Sequence, residues 1–137
     1  MRAHLASFLI ILGCLGAPTG CASLFSNASA QTAEDALTYS AIALRILNNV
    51  AEKHIDGMGL PTPEQLEQAA SVVRDLQGAR HALELAGHDV KASDPEAARE
   101  HVKEAILRMR GAADTLKQLG ANVKDVQAAL SLAERFL

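Results

Sequence analysis

From residue 32 to the C-terminus, apolar side chains recur every three or four positions. That spacing places them along one face of an α-helix, whereas a half-buried strand would repeat every two residues. No run of alternating β-branched or aromatic residues interrupts the pattern, and no Asn-Gly hairpin signal occurs. The chain is therefore restricted to an all-α fold, and the remaining question is where its helices start and stop.

The punctuation predicts four of them. The first spans about 33–55, with Thr32 as N-cap and Glu34 and Asp35 in the first turn, and stops before Asp56-Gly57-Met58-Gly59-Leu60-Pro61. Leu37, Ser40, Leu44, Leu47, Ala51, His54 and Met58 form its seam, while Tyr39, Ile42 and Ile46 lie on another side. Arg45 is the single charge between Asp35 and Glu52. A helix this apolar all round is central to its bundle or meets another protein. The second helix, about 63–86, opens on Thr62-Pro63-Glu64-Gln65, a capping box with proline at the first helical position. Its seam is Ala69, Val72, Leu76, Ala79, Leu83 and Ala86, widened by Leu66 and Val73, with Gly87 as the terminating residue.

The third helix, about 95–119, opens on Ser93-Asp94-Pro95-Glu96. Its seam runs Ala98, Val102, Ala105, Met109, Ala112, Leu116, Leu119. The same phase continues through Val123, Val126, Leu130, Ala133 and Leu137, which by itself argues for one helix to the C-terminus. An internal echo argues the other way. Residues 83–91 match residues 116–124, aligning Gly87 with Gly120, so a stop at one glycine implies a stop at the other. We therefore expect a break, with Asn122 capping a fourth helix at about 123–136. Short loops make neighbouring helices antiparallel, giving a small up-down bundle of three long helices and a shorter C-terminal one. Its alanine-rich seams bury little area per residue, so a modest stability or a stabilising partner is expected.

The N-terminus reads as an address. Residues 1–21, MRAHLASFLIILGCLGAPTGC, combine Arg2, an apolar stretch from Leu5 to Leu15, and small residues ending in Thr19-Gly20-Cys21. This resembles the signal peptide of bacterial lipoproteins, whose lipobox ends in Gly-Cys; Pro18 departs from the aliphatic residue usual at that place. The resemblance implies a signal peptide at 1–20, lipidation at Cys21 and a membrane partner through the lipid. Ala22 after the cysteine implies outer-membrane sorting. Cys14, after Ile11-Leu12-Gly13, is a rival acceptor. An ordinary cleavage after Ala28-Ser29-Ala30 and an uncleaved anchor over residues 5–24 are the other readings. Residues 21–31, small and polar, are expected to be a flexible tether to a bundle at 32–137.

Chemistry is harder to find. A net charge of −3 and 3% aromatic residues argue against nucleic acid, which wants a basic face and stacking rings. The glutamate–histidine pairs of di-iron bundles, the Cys-x-x-Cys-His of attached haem, nucleophile elbows and phosphate loops are all absent from the sequence. His81 and His88 fall opposite the second seam and read as solvated, His54 as a cap at a helix C-terminus, and His101 as a surface partner of Glu104. No cofactor and no enzymatic activity are expected. Two features suggest contacts instead: the side of the first helix carrying Tyr39, Ile42 and Ile46, and the heptad row Lys103, Arg110, Lys117 and Lys124, a possible docking stripe. The expectation is an envelope lipoprotein that acts through protein partners or self-association. The alternative is a periplasmic bundle that carries an apolar small ligand or lipid.

Overall fold

The computed structural model describes residues 20–137, with side chains from residue 30 onward. Four helices follow in order: α1 (Gly20–Asp56), α2 (Pro63–Lys91), α3 (Pro95–Gln118) and α4 (Lys124–Glu134). No strand occurs among the described residues. The molecule is an all-α bundle of three long helices and a shorter fourth, as the spacing predicts.

The helix starts obey local chemistry. Thr62 Oγ1 accepts from the Gln65 amide at 3.2 Å and Gln65 Oε1 accepts from the Thr62 amide at 2.9 Å, closing the capping box ahead of Pro63. Asp94 Oδ1 accepts from the Ala97 amide at 3.1 Å, with Pro95 at the first helical position. At α4, Asn122 Oδ1 accepts from the Lys124 amide at 3.2 Å. That contact satisfies one of the free N–H groups at the helix start, although Val123 holds the N-cap place itself.

Two boundaries differ from expectation. First, α1 begins at Gly20, so residues 21–31 are helical where a tether was expected, and Thr32 lies inside the helix instead of capping it. The reason is visible in the sequence: no glycine or proline occurs between Cys21 and Asp56, and alanines recur through the segment. The remainder of the expected signal peptide, residues 1–19 with Cys14, lies outside the described residues. Second, α2 runs through Gly87 to Lys91. A Cβ on Gly87 would sit 4.0 Å from Leu37 Cδ2, an ordinary contact, so this glycine serves no turn. The α2 stop falls instead at Ser93, whose φ is 60°. The Asp94 amide donates to the Asp89 carbonyl at 2.9 Å and the Ser93 amide to the Val90 carbonyl at 3.1 Å, the paired bonds of a Schellman motif.

The end of α3 repeats that motif. The Ala121 amide donates to the Leu116 carbonyl at 2.9 Å, the Gly120 amide to the Lys117 carbonyl at 3.0 Å, and Gly120 has φ 95°. The break at Gly120 is therefore present, but its structural counterpart is Ser93 and not Gly87.

The most extensive pairing is the α2–α3 hairpin. Gly78 and Gly111 lie along it: the Arg108 side chain passes 2.7 Å from where a Cβ on Gly78 would sit, and Asp75 Oδ2 3.2 Å from one on Gly111. Helix α1 touches all three other helices, while α2 and α4 do not meet. The pair α1 and α3 thus forms the middle of the bundle, with α2 on one flank and α4 on the other. Central placement of α1 is one of the two outcomes its apolar sequence allowed. Leu47, Met109, Leu116, Leu130, Val72, Val102 and Val126 are the largest fully buried apolar side chains. Alanines such as Ala43, Ala79, Ala105 and Ala112 supply more than half of the buried apolar positions. Leu66 and Val73, expected to widen the α2 stripe, face solvent instead, because α1 and α3 reach only the narrower seam centred on Val72 and Ala79.

Candidate functional site

The candidate contact face on α1 is divided by the fold. Tyr39 lies half-buried with its ring stacked on Phe136, centroids 5.0 Å apart and planes 8° from parallel. Ile46 is half-buried and packs against the core. Ile42 alone of the three stays outside, at 47% exposure. The sequence could not anticipate this, because the residue that covers Tyr39 comes from the far end of the chain. The other large apolar side chains most open to solvent, Leu60, Leu66 and Leu107, sit in the α1–α2 loop, on α2 and on α3.

The basic row, three members on α3 and Lys124 at the start of α4, is divided as well. Lys103 pairs with Glu100 at 2.6 Å, one turn earlier on its own helix. Arg110 reaches across to α4 and holds Glu134 with two contacts, Nε to Oε1 at 2.9 Å and Nη2 to Oε2 at 2.7 Å. This fork-to-fork geometry fixes orientation as well as distance. Lys117 and Lys124 are exposed and enter no ion pair among the described residues. The row is therefore one local pair, one interhelical clamp and two solvated lysines.

Each histidine among the described residues has a legible place. His81 and His88 are exposed. His101 Nδ1 donates to Asp89 Oδ2 at 2.6 Å, tying α3 to α2, so its partner is not the Glu104 one turn on; Glu104 instead faces Arg108. His54, in the last turn of α1, has Nε2 at 2.8 Å from the Leu119 carbonyl. A carbonyl only accepts, so Nε2 must carry the hydrogen. Leu119 is the C-cap of α3, where backbone carbonyls lack helical partners, and the imidazole supplies one of them. His54 thus links the C-terminal ends of two helices, where an end cap of its own helix alone was expected. Ser40 is fully buried on the α1 seam, and its Oγ has no hydrogen-bond partner.

Two hollows border these features. One, of roughly 10 Å³, lies among Ala30, Ala33, Val90, Ser93 and Pro95 and has room for about one water. The other is an open groove of roughly 280 Å³ lined by Val50, Lys53, His54, Gly120, Ala121 and Asn122. No group of three or more His, Cys, Asp or Glu side chains converges among the described residues. No helix among those residues is long and apolar enough to cross a membrane. Comparison with known proteins finds no matching family model, no matching curated protein and no matching solved structure.

Proposed function

We propose that this chain is a lipoprotein of the bacterial cell envelope, held by an acylated Cys21 at the periplasmic face of the outer membrane and acting as a structural or protein-interaction module. The observation that carries the reading is the sequence Pro18-Thr19-Gly20-Cys21 directly after an apolar stretch. Residue 21 already lies within α1, which runs unbroken to Asp56. A helix that contains the acceptor cysteine would pass the direction of the anchor to the bundle, which a flexible tether would not. With the signal removed, the mature chain keeps 12 of the 13 basic side chains against 16 acidic ones, a net charge of −4. Such a chain gains little from anionic lipid, so the acyl groups supply the attachment. The carrier alternative is less well supported, since a ligand pocket runs to about 300 Å³ or more of largely enclosed space. The small hollow beside Ala33 falls far short of that, and the larger groove is open to solvent.

Intact mass of the protein extracted from a Gram-negative membrane tests the anchor. A mass equal to a chain starting at Cys21 plus acyl groups is expected. A mass equal to a start after Ala30, or to the whole chain from Met1, overturns it. The contact reading is tested at Ile42, the exposed member of its face. Ile42→Asp is expected to weaken crosslinking to neighbouring proteins in the membrane while leaving the helical content intact, and unchanged crosslinks would remove this face from consideration.

A further inference from the structure

We infer that α4 is an exchangeable element: the groove between α1 and α3 that holds it accepts the α4 of a second copy of this chain, producing a dimer by helix exchange. The inference uses only residues from Tyr39 onward and stands whether or not Cys21 is acylated.

Four observations converge on it. The seam of α3 continues across the turn in unbroken heptad phase, from Ala98 through Leu116 and Leu119 to Val123, Val126, Leu130 and Ala133. A phase kept over that length is the pattern of one continuous helix. The structure nevertheless breaks the helix at Gly120, with φ 95°, and folds α4 back. The same residues therefore suit two arrangements, and the switch between them is local to residues 119–123. Straightened, Pro95 to Glu134 would make a single helix of about 60 Å at ~1.5 Å per residue, carrying its last turns clear of its own bundle.

The docking contacts of α4 are also transferable. Val126, Leu130 and Ala133 are buried, Glu134 is clamped by Arg110, and Phe136 stacks on Tyr39. Its main partner is α1, with a smaller contact to the α3 that precedes it. Each of these contacts is identical whether α4 comes from the same chain or from a second one. The groove cannot stay empty at low cost, because Leu47, Met109 and Leu116 belong to the same apolar core as the α4 side chains. A copy that releases its own α4 is thus complementary to another copy in the same state, and the two-fold exchange closes without leaving a free groove. Against opening stand the Schellman bonds of Gly120 and Ala121 and the His54 contact to the Leu119 carbonyl.

The test exploits the Arg110–Glu134 clamp. In the full chain purified in detergent, Arg110→Glu places two carboxylates together within one copy, and Glu134→Arg places two guanidinium groups together. When the two variants exchange α4, both clamps are opposite in charge again, one native and one reversed. Tagged Arg110→Glu is expected to retain about tenfold more untagged Glu134→Arg than tagged wild type does, with salt reducing the difference. Gly120→Ala, which disfavours the turn and favours the straight helix, is expected to give a dimer by native mass spectrometry. The variant carrying both charge reversals in one chain should fold without gaining in capture. Retention at the wild-type level together with a monomeric Gly120→Ala would overturn the inference. Should Gly120→Ala fail to fold, the charge-reversal capture decides the matter alone.

Discussion

At the scale of single residues, conformation and not size separates positions that look alike in the sequence. Gly87 and Gly120 occupy matching places in the internal echo, yet only Gly120 holds a positive φ. Gly87 lies inside α2 with room for a methyl group. Gly87→Ala should therefore raise stability by roughly 0.5–1 kcal/mol, the usual gain of alanine in a helix interior. Gly120→Ala should lower the stability of the folded-back form by about 1 kcal/mol, since a Cβ disfavours the left-handed region. Ser93 carries that same strain, and Ser93→Gly should relieve it with a gain of roughly 0.5–1 kcal/mol. Urea denaturation of the three variants checks all of this, and equal effects at Gly87 and Gly120 would contradict the account. Ser40 is a second residue-scale case. Its buried hydroxyl lost water on folding and found no replacement, so Ser40→Ala should stabilise by about 1 kcal/mol, read from the urea midpoint. A loss of stability there would mean that the hydroxyl has a partner after all.

At the scale of elements, what holds α4 in place is a small set of contacts remote in sequence. Eleven residues are too few for a stable helix on their own, so α4 forms only because it packs. The Tyr39–Phe136 stack lies at its far end and the His54–Leu119 bond at its near end. Phe136→Ala should cost about 1 kcal/mol or more, combining a lost ring contact with partial loss of burial. His54→Ala should cost about 1 kcal/mol by freeing a carbonyl at the end of α3. Amide hydrogen exchange separates these effects from global unfolding. Both variants should speed exchange in residues 119–134 before the α2–α3 hairpin is affected, and uniform acceleration along the chain would mean that α4 is not a separate unit.

For the whole molecule, the alanine seams set the character of the core. Close helix approach is bought with little buried area per residue, so the few large side chains carry a disproportionate share of the stabilisation. Leu47 and Met109, on the two central helices, are fully buried. Leu47→Ala or Met109→Ala should cost roughly 2–5 kcal/mol, enough to threaten a bundle of this size. Thermal unfolding followed by circular dichroism would show it, and a shift of only a degree or two would mean the core relaxes around the gap. The arrangement of the bundle also explains the division of the candidate contact faces. Because α4 and the C-terminal residues close over α1, Tyr39 is spent on an internal stack, and Arg110 is spent on a clamp.

Helical class, the four helices of the described residues, the capping box at Thr62, the opening of α3 at Ser93-Asp94-Pro95 and most of the seams of α1 and α3 were legible from the sequence alone. These follow from side-chain spacing and from hydrogen bonds between near neighbours, both of which are local. Which glycine ends a helix was not legible, since Gly87 and Gly120 both sit four residues after a leucine and three before a Val-Lys pair, yet only Gly120 takes a positive φ. The outward turn of Leu66 and Val73, the partner of His101, the bridge from His54 to Leu119 and the covering of Tyr39 by Phe136 were equally out of reach. Each depends on which helix lies across from which. That choice is made by the pairing of α2 with α3 and by the central position of α1, so it exists only once distant parts of the chain have packed together.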